Sequence, residues 1–285
     1  MMIKTGKSSI GWVLVEALTA IFIFMSGSPQ AHAQKAEVKL FAHRGGVMEY
    51  DENTIQAFQE TYNRGLRGYE IDVRRTKDGQ LVIFHDETLD RIVGLSTGIE
   101  KQTLKELKSL KTKKGNVIPT LDEVLAFFND KPGLYVEFEM KTNKPAYDEN
   151  KLVKYCDELY NKVHASKPAR STYVLTSFDK RPLSYLKKTY PSVDLLFIKA
   201  EALNQSVLDE ATAMGIKRLG CRVDKTTKEM VQQAKKQGFS VSLWPGKSVD
   251  DFLLGLALGG DYLCSDVPVA ITEWAKANGS WITLK

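Results

Sequence analysis

Cysteine is scarce in this chain. There are three in 285 residues, at positions 156, 221 and 264. The number is odd and no pair stands in C-x-x-C spacing, which excludes a disulfide framework. Cys221 and Cys264 sit in apolar, strand-like runs and read as small core fillers. Proline is sparse at 9 residues, and no stretch rich in Pro, Gly or Ser divides the chain. That absence, with no repeat visible along the sequence, argues against several domains or a repeat architecture. Beyond the first 33 residues no apolar run approaches the roughly 20 needed to span a membrane. The net charge is only +5, and the basic residues are scattered over helical segments rather than gathered with aromatics, so nucleic-acid binding has no support. With 43% apolar and 26% charged residues, the chain also falls outside disordered and collagen-like compositions.

The amino terminus is of a different kind. Lys4 and Lys7 precede an apolar stretch from about Trp12 to Met25 that is interrupted by Glu16, and Ala31-His32-Ala33 presents small residues where a signal peptidase reads them. This is the pattern of a cleaved signal peptide over residues 1–33. No cysteine lies near the junction to accept a lipid, so the expectation is an exported protein with no stable membrane anchor after cleavage, periplasmic if the host is Gram-negative. Residues 34–285 then form one large domain.

Nine short runs rich in Val, Ile, Leu and Phe recur along that domain: Val38–Phe41, Gly68–Val73, Gln80–Phe84, Leu134–Glu139, Tyr173–Thr176, Val193–Ile198, Arg218–Cys221, Ser240–Leu243 and Tyr262–Cys264. Amphipathic segments fill several gaps, among them Thr54–Arg64, Thr103–Leu110, Thr120–Asn129, Asn150–Val163 and Lys225–Gln237. Two open with capping boxes, Thr103 with Glu106 and Thr120 with Glu123. Strand and helix in alternation predict an α/β fold with a parallel sheet, and the length suits an eight-stranded TIM (β/α)8 barrel. Nine candidate strands compete for eight places. The link from Val73 to Gln80 is too short for a crossover helix, so the chain is expected to descend through Arg74–Lys77, turn at Asp78-Gly79 and climb through Leu81–His85. Residues 86–132 are read as an insertion at the barrel mouth.

Side chains alternate along a strand. In β-type register Tyr69, Ile71 and Val73 face the helices, which leaves Glu70 and Asp72 pointing inward. Likewise Leu134, Val136, Phe138 and Met140 face outward, and Glu137, Glu139 and Lys141 inward. Three or four carboxylates therefore converge, and their mutual repulsion calls for a cation. Oxygen ligands without cysteine or clustered histidine favour Ca²⁺ or Mg²⁺. His43 and His85 each end an apolar strand run, on the face where barrel active sites form. A histidine pair beside a divalent cation suits phosphoryl chemistry, one imidazole taking a proton from the nucleophile and the other giving one to the leaving oxygen. Arg44, followed by Gly45-Gly46, is placed to hold phosphate. His164 lies in a polar helical stretch and reads as surface.

These residues resemble the glycerophosphodiester phosphodiesterase family. His-Arg-Gly at 43–45, Glu-Asn-Thr at 52–54, Glu-Ile-Asp-Val at 70–73, Thr-Lys-Asp-Gly at 76–79, His-Asp at 85–86 and Ile-Pro-Thr-Leu-Asp-Glu at 118–123 occur in the family's order. Glu139-Met-Lys141, Ser177-Phe178, Trp244 and the run from Gly260 to Pro268 continue it across essentially the whole domain. The resemblance implies metal-dependent hydrolysis of small-molecule glycerophosphodiesters to sn-glycerol 3-phosphate and an alcohol. It implies Glu70, Asp72 and Glu139 as metal ligands and His43 and His85 as the acid–base pair. Arg44 and Lys141 become phosphate contacts, Glu52 and Asn53 support substrate binding, and Trp244 packs on the glycerol or alcohol moiety. In the mechanism usually proposed for the family, the glycerol 2-hydroxyl attacks phosphorus and water opens the resulting cyclic phosphate. The sequence departs from the family after Trp244, where Pro245-Gly246-Lys247 would reshape the pocket wall and let Lys247 meet an anionic head group. The rival readings are a phosphoinositide- or sphingomyelin-cleaving phospholipase, a glycosidase using Glu137 and Glu139, and a phosphodiester-binding protein without turnover. The first wants an apolar membrane-facing rim that the lysine-rich insertion does not offer, and the second leaves both histidines without a task.

Overall fold

The structure is a computed structural model and describes residues 35–142 and 147–285. The leader assigned to residues 1–33 lies outside the described residues. The chain begins with β1 (Ala36–His43), α1 (Ile55–Asn63), β2 (Gly68–Arg75), β3 (Leu81–Ile83), β4 (Thr88–Leu89) and β5 (Leu95–Gly98). A 3₁₀ turn (Ile99–Lys101), α2 (Leu104–Ser109), α3 (Leu121–Phe128), β6 (Tyr135–Met140), α4 (Glu149–Ala165), β7 (Thr172–Ser177), α5 (Lys180–Thr189) and β8 (Leu195–Ala202) follow. The remainder is α6 (Gln205–Ala213), β9 (Arg218–Arg222), α7 (Lys228–Lys236), β10 (Ser240–Gly246), α8 (Val249–Leu258), β11 (Tyr262–Ser265), α9 (Pro268–Asn278) and β12 (Ile282–Leu284).

Parallel pairing runs from β1 to β2, on through β6, β7, β8, β9 and β10 to β11, and from β11 back to β1. The result is a closed barrel of eight parallel strands with helices between them, as expected. The ninth candidate is β3, which pairs antiparallel with β2 through Val73 with Ile83 and Arg75 with Leu81 and so stays outside the barrel. The turn that reverses the chain is built by Thr76, whose hydroxyl donates to Asp78 Oδ1 at 2.6 Å and accepts from the Gln80 amide at 2.8 Å. Gly79 completes it at a φ of +87°, a conformation that only glycine adopts without strain. Two features were not expected: the short antiparallel pair β4–β5, and β12, whose three residues are too few to show a period and which pairs with the start of β1.

The alternation predicted for β2 and β6 sets the packing. Outward Tyr69 meets Phe58 of α1 and Phe128 of α3 with ring centroids 5.7 and 5.1 Å away, all three fully buried. Outward Val136, Phe138 and Met140 join the same barrel–helix core. Burial of each such side chain contributes about 1.5–3 kcal/mol, and that gain lets the inward face carry charge. Within the barrel a smaller apolar cluster forms from Phe41, Tyr135, Val174, Leu196, Ile198 and Cys264. Cys156 and Cys221 are buried in the outer layer, consistent with fillers.

Between β3 and β6 both expected capping boxes form, Thr103 with Glu106 and Thr120 with Glu123. Val82, Phe84, Leu89, Ile99, Leu107 and Ile118 make a separate small core there. α3, although within the same span, turns Leu121, Val124, Leu125 and Phe128 into the main core.

Candidate active site

Register brings the inward residues of neighbouring strands together: His43 of β1 stands beside Glu70 of β2, and Asp72 of β2 beside Glu139 of β6. One carboxylate oxygen from each of Glu70, Asp72 and Glu139 lies within 4.8 Å of the others, and all three residues are buried. Lys141 Nζ sits 2.8 Å from Asp72 Oδ1 and 2.5 Å from Glu139 Oε1. Burial drives the Glu70 carboxyl well above its usual range, and the neighbouring charges of Asp72 and Glu139 push it further. Burial works against ionisation of Asp72 as well, but the positive charge of Lys141, then of His85 and Arg44, outweighs it and holds that carboxyl well below the usual range. Glu70 Oε1 is buried without a hydrogen-bond partner. A buried, unpartnered carboxylate oxygen facing two further carboxylates is a donor set that fits a hard divalent cation.

The segment after β1 supplies the guanidinium. Arg44 has a left-handed backbone, φ +51°, uncommon outside glycine and asparagine. Its amide donates to the Glu70 carbonyl at 2.9 Å, and Nη1 donates to Glu52 Oε1 at 3.2 Å. Gly45 follows at φ +83°, where a Cβ would come within 2.9 Å of Ala57 Cβ and 3.0 Å of Phe58 Cδ1. Glycine here lets the turn lie flat against α1. The next motif divides its work: Glu52 backs Arg44, Asn53 Nδ2 donates to Asp72 Oδ2 at 2.7 Å, and Thr54 caps α1 by accepting from the Ala57 amide at 3.1 Å.

Each histidine has an aspartate behind it. His43 Nδ1 is 2.5 Å from Asp266 Oδ1, and its Nε2 lies 3.7 Å from Glu70 Oε2. His85 Nδ1 is 2.7 Å from Asp86 Oδ1. An ionised carboxylate only accepts, so Nδ1 carries the proton in both rings and Nε2 is the basic nitrogen. Asp86 and Glu52 are both held by Arg91, from the segment joining β4 to β5.

A cavity of about 160 Å³ opens at these residues, lined by His43, Arg44, Glu70, His85, Glu137, Glu139 and Lys141. Apolar side chains make up much of the remaining lining, with Phe41, Phe178, Leu196, Ile198, Trp244 and Cys264. Trp244 packs edge-on against Phe178 at 5.7 Å.

The structure thus brings together His43, His85, Arg44, Lys141, Glu70, Asp72 and Glu139, with Glu52 and Asn53 directly behind them and Trp244 in the lining of the cavity. Others take no place in that cluster. Glu137 faces inward as expected and lines the same cavity, but it takes the Tyr135 hydroxyl at 2.5 Å and lies outside the acidic triad. Burial pushes its carboxyl up to about 7. Lys247 is exposed beyond β10, and His164 is exposed and stacked on Tyr160. Sequence reasoning missed Arg91 and used Asp86 and Asp266 only as parts of motifs. The adjacency of His85 and Asp86 was a usable signal. Asp266 stood in the run from Gly260 to Pro268, but with 223 positions between it and His43 nothing local tied the two together.

The fold and the site together define a class: a barrel enzyme that gathers an acidic cluster, two aspartate-backed histidines and a guanidinium at the carboxyl ends of its strands. Residues 43–270 match the model of the glycerophosphoryl diester phosphodiesterase family. A glycerophosphodiester phosphodiesterase of Caldanaerobacter subterraneus subsp. tengcongensis is 30% identical over 253 residues, covering 84% of this chain and 98% of that protein. One from Bacillus altitudinis is 30% identical over 176 residues, 59% of this chain and 69% of that protein. Among solved structures, an Oleispira antarctica phosphodiesterase in complex with the product sn-glycerol-3-phosphate shares the fold with a TM-score of 0.75 at 23% identity, covering 84% of this chain and 96% of that one. The chain belongs to the glycerophosphoryl diester phosphodiesterase family and is a hydrolase of glycerophosphodiesters.

Proposed function

We propose that this hydrolysis needs a divalent cation, Ca²⁺ or Mg²⁺, held by Glu70, Asp72 and Glu139, and proceeds through acid–base work by His43 and His85. The observation that carries the reading is the placement of two aspartate-backed imidazoles and a buried acidic triad in one cavity. A bound cation would offset negative charge on the phosphoryl oxygens. Arg44, 3.5 Å from Asp72 Oδ2, and Lys141, 2.8 Å from Asp72 Oδ1, hold the phosphate, Glu52 and Asn53 keep Arg44 and Asp72 aimed, and the apolar lining around Trp244 receives the glycerol or alcohol moiety. One histidine, neutral, removes the proton of the attacking hydroxyl at its Nε2 while the other, entering the step as an imidazolium with a second proton on Nε2, gives that proton to the leaving alkoxide; the first is then the imidazolium and the second neutral, so the two exchange roles when water enters. In this reading the glycerol 2-hydroxyl attacks first, sn-glycerol 3-phosphate is the product, and the head group leaves as an alcohol.

Export with loss of residues 1–33 belongs to the same proposal, supported by the charged, apolar and small-residue order of the leader. Among the described residues no helix is long and apolar enough to cross a membrane.

The test is release of sn-glycerol 3-phosphate from a panel of glycerophosphodiesters with added Ca²⁺ or Mg²⁺ and then with chelator. Activity is expected to vanish with chelation and return with metal. Glu70→Ala should lose cation binding by calorimetry together with activity, and full turnover by metal-free enzyme would remove the cation from the mechanism.

A further inference from the structure

We infer that Arg91 is a positioning residue of the active site, joining the group that holds phosphate to the group that moves protons. The inference rests on the proposed function, since it assigns Arg91 to the support of Arg44 and His85. The guanidinium of Arg91 forks onto two carboxylates at once. Nη1 and Nη2 reach Glu52 Oε2 and Oε1 at 2.5 and 2.8 Å, while Nε and Nη2 reach Asp86 Oδ2 and Oδ1 at 2.7 and 3.0 Å. Each carboxylate has a second partner inside the site. Glu52 accepts from Arg44 at 3.2 Å, and Asp86 fixes Nδ1 of His85 at 2.7 Å.

The chemistry of the fork explains what such a link does. Glu52 is buried, and with Arg91 absent its charge would fall on Arg44 alone, drawing that guanidinium back from phosphate. Asp86 would lose the donors that fix its plane, and with them the orientation it imposes on His85. Arginine suits the task because five donors in one plane can serve two carboxylates, whereas a lysine ammonium serves one point in space. A purely structural role is the weaker explanation. The side chain is itself half-exposed, at 48%, which limits what its ion pairs add to stability even beside the buried Glu52, and every nitrogen of the guanidinium is directed at a carboxylate that supports the site.

The experiment compares Arg91→Ala and Arg91→Lys with Glu52→Gln and Asp86→Asn in the full chain, measuring kcat, KM, melting temperature and the ¹⁵N signals of His85 in metal-free protein. Arg91→Ala is expected to lower kcat roughly 10- to 100-fold and to raise KM, with little change in melting temperature. Asp86→Asn should reproduce the kcat part and Glu52→Gln the KM part, and adding Arg91→Ala to the Glu52→Gln, Asp86→Asn double variant should cost almost nothing more. Arg91→Lys should stay impaired, added guanidinium should restore part of the rate to Arg91→Ala only, and the His85 signals should show loss of the single Nδ1–H tautomer. Parental kcat and KM in Arg91→Ala, or a loss that remains in full on the double-variant background, would overturn the inference. His85→Ala serves as the control: a parental rate there refutes the two-histidine reading itself, whereas an impaired His85→Ala beside a parental Arg91→Ala refutes only the role of Arg91.

Discussion

Replacing Asp266 by asparagine strips one charge from the proposed acid–base machinery while keeping its shape. Asp266 is 5% exposed, its Oδ1 stands 2.5 Å from His43 Nδ1, and its carbonyl receives the Met48 amide at 3.1 Å, a bond the isosteric amide retains. A hydrogen bond to a charged group contributes about 1.5–3 kcal/mol and a neutral one about 0.5–1.5. The imidazolium that the proposed mechanism forms at His43 therefore loses about 1–2 kcal/mol of support, which slows the step roughly 5- to 30-fold. A second effect adds to this. The asparagine amide can donate to Nδ1, which moves the ring proton to Nε2 and takes the basic nitrogen away from substrate in that fraction of molecules. Together the two effects predict a fall in kcat of about 10²-fold or more, within the range for loss of a general acid–base group. KM and cation affinity should change little, because Arg44 and the acidic triad keep their contacts. Steady-state kinetics on a glycerophosphodiester with saturating metal, alongside calorimetric metal titration, measures both. A kcat within about threefold of the parent, in folded and metal-loaded protein, would refute the claim that Asp266 sets the state of His43.

Two further outcomes are expected of the fold itself. Gly45→Ala puts a Cβ 2.9 Å from Ala57 Cβ at a backbone angle of φ +83°, so it should reduce stability by about 1–3 kcal/mol, read from denaturant unfolding. A midpoint equal to the parent's would show that the turn relaxes freely. Burial pushes the thiols of Cys156 and Cys221 up to about 12 and that of Cys264 well above its usual range. All three should resist a thiol reagent at neutral pH in native protein and react on unfolding, since the thiolate is the reactive species; rapid labelling of the native chain would contradict the packing.

What could be read from the sequence was whatever depends on near neighbours in the chain. A period of two in 69–73 and 134–141 put Glu70, Asp72, Glu139 and Lys141 on one face, because apolar side chains on the other face had to meet helices. The short link after Val73 announced the antiparallel β3. What could not be read depends on closure. Asp266 reaches His43 because β11 pairs with β1, Ala42 lying beside Ser265, and no local pattern predicts which strand end comes round to meet another. Arg91 was hidden for a related reason: in a charged stretch an arginine looks like any solvated side chain until its two carboxylates are seen on either side of it. Lys141 was identified as a residue of the site, but its bridge between Asp72 and Glu139 came into view only with the strands in register.

The position of β1 has a consequence for how the molecule comes to exist. That strand lies between β2 and β11, and its first residues also take β12, so the earliest strand of the barrel cannot be paired on both sides until the last part of the chain has arrived. Contacts joining the two ends of a chain are slow to form. Until they do, β1 and β10 present open edges of the kind that recruit other chains. A nascent chain halted between Gly246 and Tyr262 would hold most of the side chains of the site and still be an open sheet, more apt to aggregate than to turn over substrate.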